Sequence, residues 1–133
     1  MKTDRILFFT LAIALLSMSF LSIGCGASSP TMAHGQPLDY WVKSLQSPDA
    51  KLRKKAVQVL GNIGPADSTV VPALSAALKD PDTAVRSEAV LSLTKMGPKA
   101  KDALTTLSEI SHDRDAKVRA QVEKAMHAIQ GEQ

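Results

Sequence analysis

Apolar residues recur at helical spacing in three long runs. Leu52, Ala56, Val59, Leu60 and Ile63 make the first. Val85, Ala89, Leu93 and Met96 make the second, and Val118, Val122, Met126 and Ile129 the third. Steps of three and four residues put such a set on one face of an α-helix. A shorter apolar set precedes each run: Leu38, Trp41 and Leu45; Val71, Leu74 and Leu78; Leu104 and Leu107, with Ser111 in the last place. The pattern predicts three helix pairs, over 37–46 and 49–63, 69–79 and 82–96, and 99–111 and 115–130.

The pairs are copies of one another. Asp49, Asp82 and Asp115 stand 33 residues apart, as do Arg53, Arg86 and Arg119. Leu60, Leu93 and Met126 keep the same period. A fixed period of this size is the mark of stacked repeats. The expected fold is therefore all-α: a short right-handed α-solenoid of three helix pairs. The domain spans about 37–131, with repeats at 37–65, 66–98 and 99–131.

Punctuation follows the period. Asp49, Asp82 and Asp115 suit helix N-caps, where a carboxylate accepts from free first-turn N–H groups. Pro48 and Pro81 stop the helix before them. Gly64-Pro65 and Gly97-Pro98 should close second helices with glycine left-handed. Pro72 is tolerable only close to a helix start, which sets that start near Thr69. In the third repeat Glu123 stands where Val57 and Val90 stand, and Ser111 where Leu45 and Leu78 stand. A polar outer face is what a terminal repeat needs, so the array is expected to finish at three pairs.

The first 36 residues have a different pattern. Lys2 and Arg5 precede an apolar run, Ile6 to Ile23, interrupted only by Thr10, Ser17, Ser19 and Ser22. That is a signal-peptide layout, although the run is also long enough for an uncleaved anchor. Leu21-Ser22-Ile23-Gly24-Cys25 resembles the lipobox of bacterial lipoproteins. The resemblance implies cleavage after residue 24, a lipidated Cys25, and export to a bacterial membrane. Ser22 departs from the usual leucine three places before the cysteine. Residues 25–36 are small and polar, and read as a lipidated flexible tether.

Composition narrows the chemistry. Formal charge is +3 over the chain. Setting aside Lys2, Asp4 and Arg5 leaves 14 basic and 12 acidic side chains, too even a balance to argue for nucleic acid. A single cysteine excludes an internal disulfide and a cysteine-built zinc site. No glycine-rich phosphate loop and no Gly-x-Ser-x-Gly turn is present. His34, His112 and His127 fall in a tether, a turn and a helix, without metal-ligand spacing. Neither a metal nor another cofactor is called for, and the chain reads as a non-enzyme.

Leu78 to Arg86, followed by Ala89, Leu93 and Met96-Gly97, resembles the HEAT repeat. It is most similar to the short repeats of phycobilin-lyase-type HEAT proteins. The resemblance implies a scaffold that binds protein along a curved surface lined by second helices. It also implies a ladder between repeats built from Asp49, Asp82 and Asp115 with Arg53, Arg86 and Arg119. An auxiliary or lyase-like role, as in the bilin-attaching relatives, is the alternative.

Away from the apolar stripe, the second helices carry Lys51, Lys54, Lys55, Lys95, Lys117 and Lys124 against one Glu88, with Leu91 among them. A merely solvated face is the plain reading. The functional reading is a shallow basic groove for an acidic partner: a protein segment, anionic lipid headgroups or a cell-wall polymer.

Overall fold

The computed structural model describes residues 32–131. The signal segment 1–24, Cys25 and tether residues 25–31 lie outside the described residues. Six α-helices follow a two-stranded hairpin: β1 (Met32–Ala33), β2 (Gln36–Pro37), α1 (Leu38–Ser44), α2 (Ala50–Ile63), α3 (Val70–Ala77), α4 (Thr83–Met96), α5 (Leu104–Glu109) and α6 (Ala116–Gln130). The even-numbered helices pack on one another in order, and each also packs on the odd-numbered helix of its own pair. This is the expected solenoid of three pairs. No helix among the described residues is long and apolar enough to cross a membrane.

The core follows the stripes. Leu60, Leu74, Leu78, Leu93, Leu107 and Ile129 are fully buried, and Val85, Val118 and Val122 lie with them. A second set faces between repeats: Val57 and Val90 are completely buried, while Glu123 at the same register is exposed. Helix α4 is therefore apolar on two sides, one toward α3 and one toward its neighbours in the stack. A single-face pattern fits it less well than it fits the outer helices.

Helix ends repay close reading. Asp49 accepts from the N–H of Lys51, Asp82 from those of Ala84 and Val85, and Asp115 from those of Lys117 and Val118. Gly64 and Gly97 have positive φ, 68° and 54°, but ψ near −162° and −137°. These are glycine-only conformations rather than the expected left-handed helical one, because the chain turns straight into a 3-10 segment at the proline. Only Gly131, at φ 79° and ψ 17°, is left-handed helical.

Two expectations need correction. The first helix of the third pair was expected from Lys99, yet Gly97–Ala103 is 3-10 turn and α5 starts at Leu104. Ala100 and Ala103 are completely buried there, and their small side chains let the tighter turn press against α6. The tether was expected to reach Gln36, yet residues 32–37 form an antiparallel hairpin, with Met32 opposite Pro37 and Ala33 opposite Gln36. His34 and Gly35 make its tip with φ 50° and 73°, the paired positive angles of a two-residue hairpin turn. Trp41 holds it: the indole Nε1–H donates to the Ala33 carbonyl at 2.8 Å. A buried indole requires such a partner.

Candidate functional site

Two features distinguish the stack's surfaces: a line of arginine rungs at the loop edge and the groove over α2, α4 and α6. Arg53 donates through Nε and Nη2 to both carboxylate oxygens of Asp80, at 2.7 and 2.9 Å. Arg86 does the same to Asp113, at 2.8 and 2.9 Å. The third donor of each fork, Nη1, holds a carbonyl of its own loop: Ser47 for Arg53 and Asp80 for Arg86. Arg119 keeps that arm only, donating to the Asp113 carbonyl at 2.7 Å.

The ladder expected from the resemblance is thus corrected in its acidic half. Its arginines are Arg53 and Arg86, but its carboxylates are Asp80 and Asp113, two residues before the capping aspartates. Asp49, Asp82 and Asp115 cap the helix N-termini instead. The rung carboxylates complete the turn as well, since Asp80 accepts from the Asp82 N–H and Asp113 from the Asp115 N–H, both at 2.8 Å. In the first repeat Ser47 fills the same role toward the Asp49 N–H.

The rungs are nearly dry. Side-chain exposure is 5% for Arg86 and 7% for Asp113. Burial pushes the Asp80 carboxyl up, but hydrogen bonds from Arg53 and the Asp82 N–H outweigh it, so the pKa falls below the ordinary value. For Asp113 the hydrogen bond from Arg86 dominates over burial, in the same direction. Both arginines are held more firmly protonated by their partners. These groups are bound to one another, and their role is to lock neighbouring loops together.

The groove is different in character. Glu88 accepts from Gln58 at 3.2 Å and lies 3.9 Å from the Lys54 ammonium. Ser87 donates to Gln121 across the next interface at 2.7 Å. Each contact joins one second helix to its neighbour. They leave a depression of about 340 Å³ lined by residues of α2, α4 and α6, including Lys54, Ser87, Leu91 and Lys117. Leu91 is 40% exposed, and Lys51, Lys95, Lys117 and Lys124 are exposed on the same three helices. Glu88, the single carboxylate expected here, is already faced by a cation.

Lys55 stands apart from the other five lysines. Its register is that of Glu88, a position facing the preceding repeat. Among the described residues no repeat packs before it, and its ammonium lies over the Trp41 ring, 5.8 Å from the centroid. Periodicity alone places it on the groove face, since the period does not distinguish which neighbouring helix a position meets.

Among the described residues, no three His, Cys, Asp or Glu side chains gather as a group able to hold a metal ion. His112 meets only the adjacent Ser111 hydroxyl, at 3.0 Å.

The sequence profile of HEAT repeats matches residues 38–127. The chain belongs to the HEAT-repeat family. Among curated proteins, no sequence match is found. Solved HEAT and armadillo arrays resemble it in fold. The complex of CpcE and CpcF of phycocyanin lyase from Nostoc sp. PCC7120 is 24% identical, at a TM-score of 0.63, over 83% of this chain and 42% of that one. Human deoxyhypusine hydroxylase in complex with glycerol is 25% identical, at a TM-score of 0.59, over 71% of this chain and 32% of that one. A designed armadillo repeat protein in complex with the peptide (KR)4 is 22% identical, at a TM-score of 0.55, over 69% and 46%. This HEAT array thus spans less than half the length of each of these solved chains. HEAT repeats are a general protein-interaction fold, and the shared feature is the stack of helix pairs.

Proposed function

We propose that the chain is a lipid-anchored interaction module of a bacterial envelope, and that its second-helix groove takes an acidic segment of a partner protein. One observation carries the reading: Leu91 is exposed in a depression that Lys54 and Lys117 line, Lys51, Lys95 and Lys124 are exposed on the same three helices, and Glu88 in that depression is faced by Lys54. Asp115 also lines the depression but caps α6, and the lysines of the three helices outnumber these two carboxylates. Exposed lysines attract and steer an acidic chain without fixing it in one geometry, so the encounter is fast and salt-sensitive. Leu91 supplies an apolar contact at the centre. The peptide in the designed armadillo complex is basic; a lysine-ringed groove on a related stack suits the opposite charge.

The test is charge reversal on the full chain. Lys51→Glu, Lys117→Glu and Lys124→Glu together should abolish photocrosslinking from position 91 to an acidic partner in cells, while Lys55→Glu should leave it intact. The triple variant should keep its helicity and melting temperature, as exposed substitutions rarely change stability. Undiminished crosslinking in the triple variant would sink the groove reading and turn attention to the first helices around Tyr40 and Lys43.

The anchor rests on the Cys25 motif and the apolar run before it. Two or more acyl chains give stable membrane attachment, at about 0.8 kcal/mol per buried methylene. Cys25→Ala should abolish incorporation of labelled fatty acid and leave uncut precursor. An unlabelled wild type refutes lipidation.

A second reading, a lyase-like auxiliary factor, is favoured by the breadth of the likeness to the CpcE–CpcF complex. It requires bound chromophore, so bilin binding by the purified chain would support it, and its absence in a bilin-producing host would count against it.

A further inference from the structure

We propose that the hairpin end of the array rests on the membrane surface, with Met32 and Tyr40 entering the interfacial layer and Lys55 facing anionic headgroups. The inference rests on the anchored reading above and adds an orientation to it.

Large apolar side chains are exposed at three places among the described residues: Met32 at 59%, Tyr40 at 42%, and Leu91 in the groove. Two of the three thus belong to one end of the stack. They are joined through Trp41. Its indole binds the Ala33 carbonyl beside Met32, and its ring meets Tyr40 edge-on at 5.1 Å. His34 stands edge-on to the same ring at 6.4 Å. Tyrosine, with an apolar body and a polar tip, is favoured where hydrocarbon meets headgroups. Lys55 is exposed, and its ammonium lies over the Trp41 ring. Residues 32–46 contain one carboxylate, Asp39, against Lys43 on the same helix.

Chain length selects lipid as the occupant. Cys25 precedes Met32 by seven residues. Fully extended, seven residues reach at most about 25 Å. An acylated Cys25 therefore holds this end within about 25 Å of the bilayer. The opposite end presents Ala120, Glu123 and Gln130, and among the described residues no comparable apolar side chain is exposed there. End-on contact would leave the lysine groove facing sideways and open to a partner.

The experiment uses the full lipid-modified chain in vesicles of phosphatidylethanolamine and phosphatidylglycerol. With Cys25 acylated, a single thiol can be placed by Met32→Cys, Tyr40→Cys or Glu123→Cys and labelled with a fluorophore. Lipids carrying a quencher near the headgroup should quench the labels at 32 and 40 several-fold more than the label at 123. Equal quenching at all three positions, in protein that floats with the vesicles, overturns the end-on contact and leaves the anchor standing. Protein that fails to float overturns both. Quenching at 32 and 40 that follows protein density rather than quencher lipid assigns this end to a second copy, and also overturns the proposal.

Discussion

Some single positions are decided by the space a neighbour leaves. Gly61 lies inside α2, where glycine costs about 1 kcal/mol relative to alanine. Propensity alone recommends replacing it. A Cβ at Gly61, however, would overlap the Ser92 hydroxyl and stand 2.8 Å from the Ser92 Cβ. Ser92 is 3% exposed and belongs to α4, so it has little room to move. Gly61→Ala should therefore destabilise, by about 1–3 kcal/mol as for overpacking elsewhere. Gly61→Ala with Ser92→Gly should recover part of the loss in urea melts. A stabilised single variant would mean α2 and α4 separate at little cost. Nothing in the linear pattern signalled this contact. A glycine inside a periodic helix reads as neutral until the partner helix is known to cross there.

Between elements, the arginine rungs do what the caps cannot. The caps fix where α2, α4 and α6 begin, and they were legible because an aspartate before an apolar period has one local use. Each rung joins a helix arginine to a loop carboxylate 27 residues further on, and the arginines were legible from the period taken with the resemblance to HEAT repeats. Their carboxylates were not. Asp80 and Asp113 lie two residues from equally plausible aspartates, and choosing between them needs the positions of the helix N–H groups. The hairpin was missed for a related reason. Strands of two residues carry no alternation, and the His34-Gly35 turn gains its meaning only from Trp41.

The rungs predict two outcomes. Asp113→Ala strands a buried guanidinium, at a cost of about 3–5 kcal/mol for a broken buried pair. Replacing both partners by apolar residues, Arg86→Met with Asp113→Leu, should cost clearly less than either single change. The second outcome is a pH dependence. Asp80 and Asp113 have folded pKa values below the ordinary 3.8. Their contribution is complete above the unfolded value and lost as pH falls through the folded ones. Stability should hold from neutrality down to about pH 4 and decline below it, less steeply in the doubly apolar variant. Equal acid sensitivity in both proteins would exclude the Arg86–Asp113 rung as the source.

At the scale of the molecule, three pairs are close to the fewest that can stack stably, so the middle pair has to serve both neighbours. Leu93 is completely buried in α4, which packs on both α2 and α6. Leu93→Ala should cost about 2–5 kcal/mol, the range for truncating a buried leucine. How that loss is distributed tests the architecture. In an array each repeat's stability depends on its own core plus its interfaces. With only three repeats, losing the centre removes an interface from each end, and neither end should persist alone. Trp41 is the only tryptophan and lies in the first pair, so its fluorescence reports the N-terminal end, while far-UV circular dichroism reports all six helices. The two signals should coincide during urea unfolding in the wild type, and shift together in Leu93→Ala. If the dichroism transition moved to lower urea while the Trp41 transition stayed in place, the first pair with its hairpin would be an independently stable unit. The interfaces that α4 makes would then be packing without thermodynamic coupling.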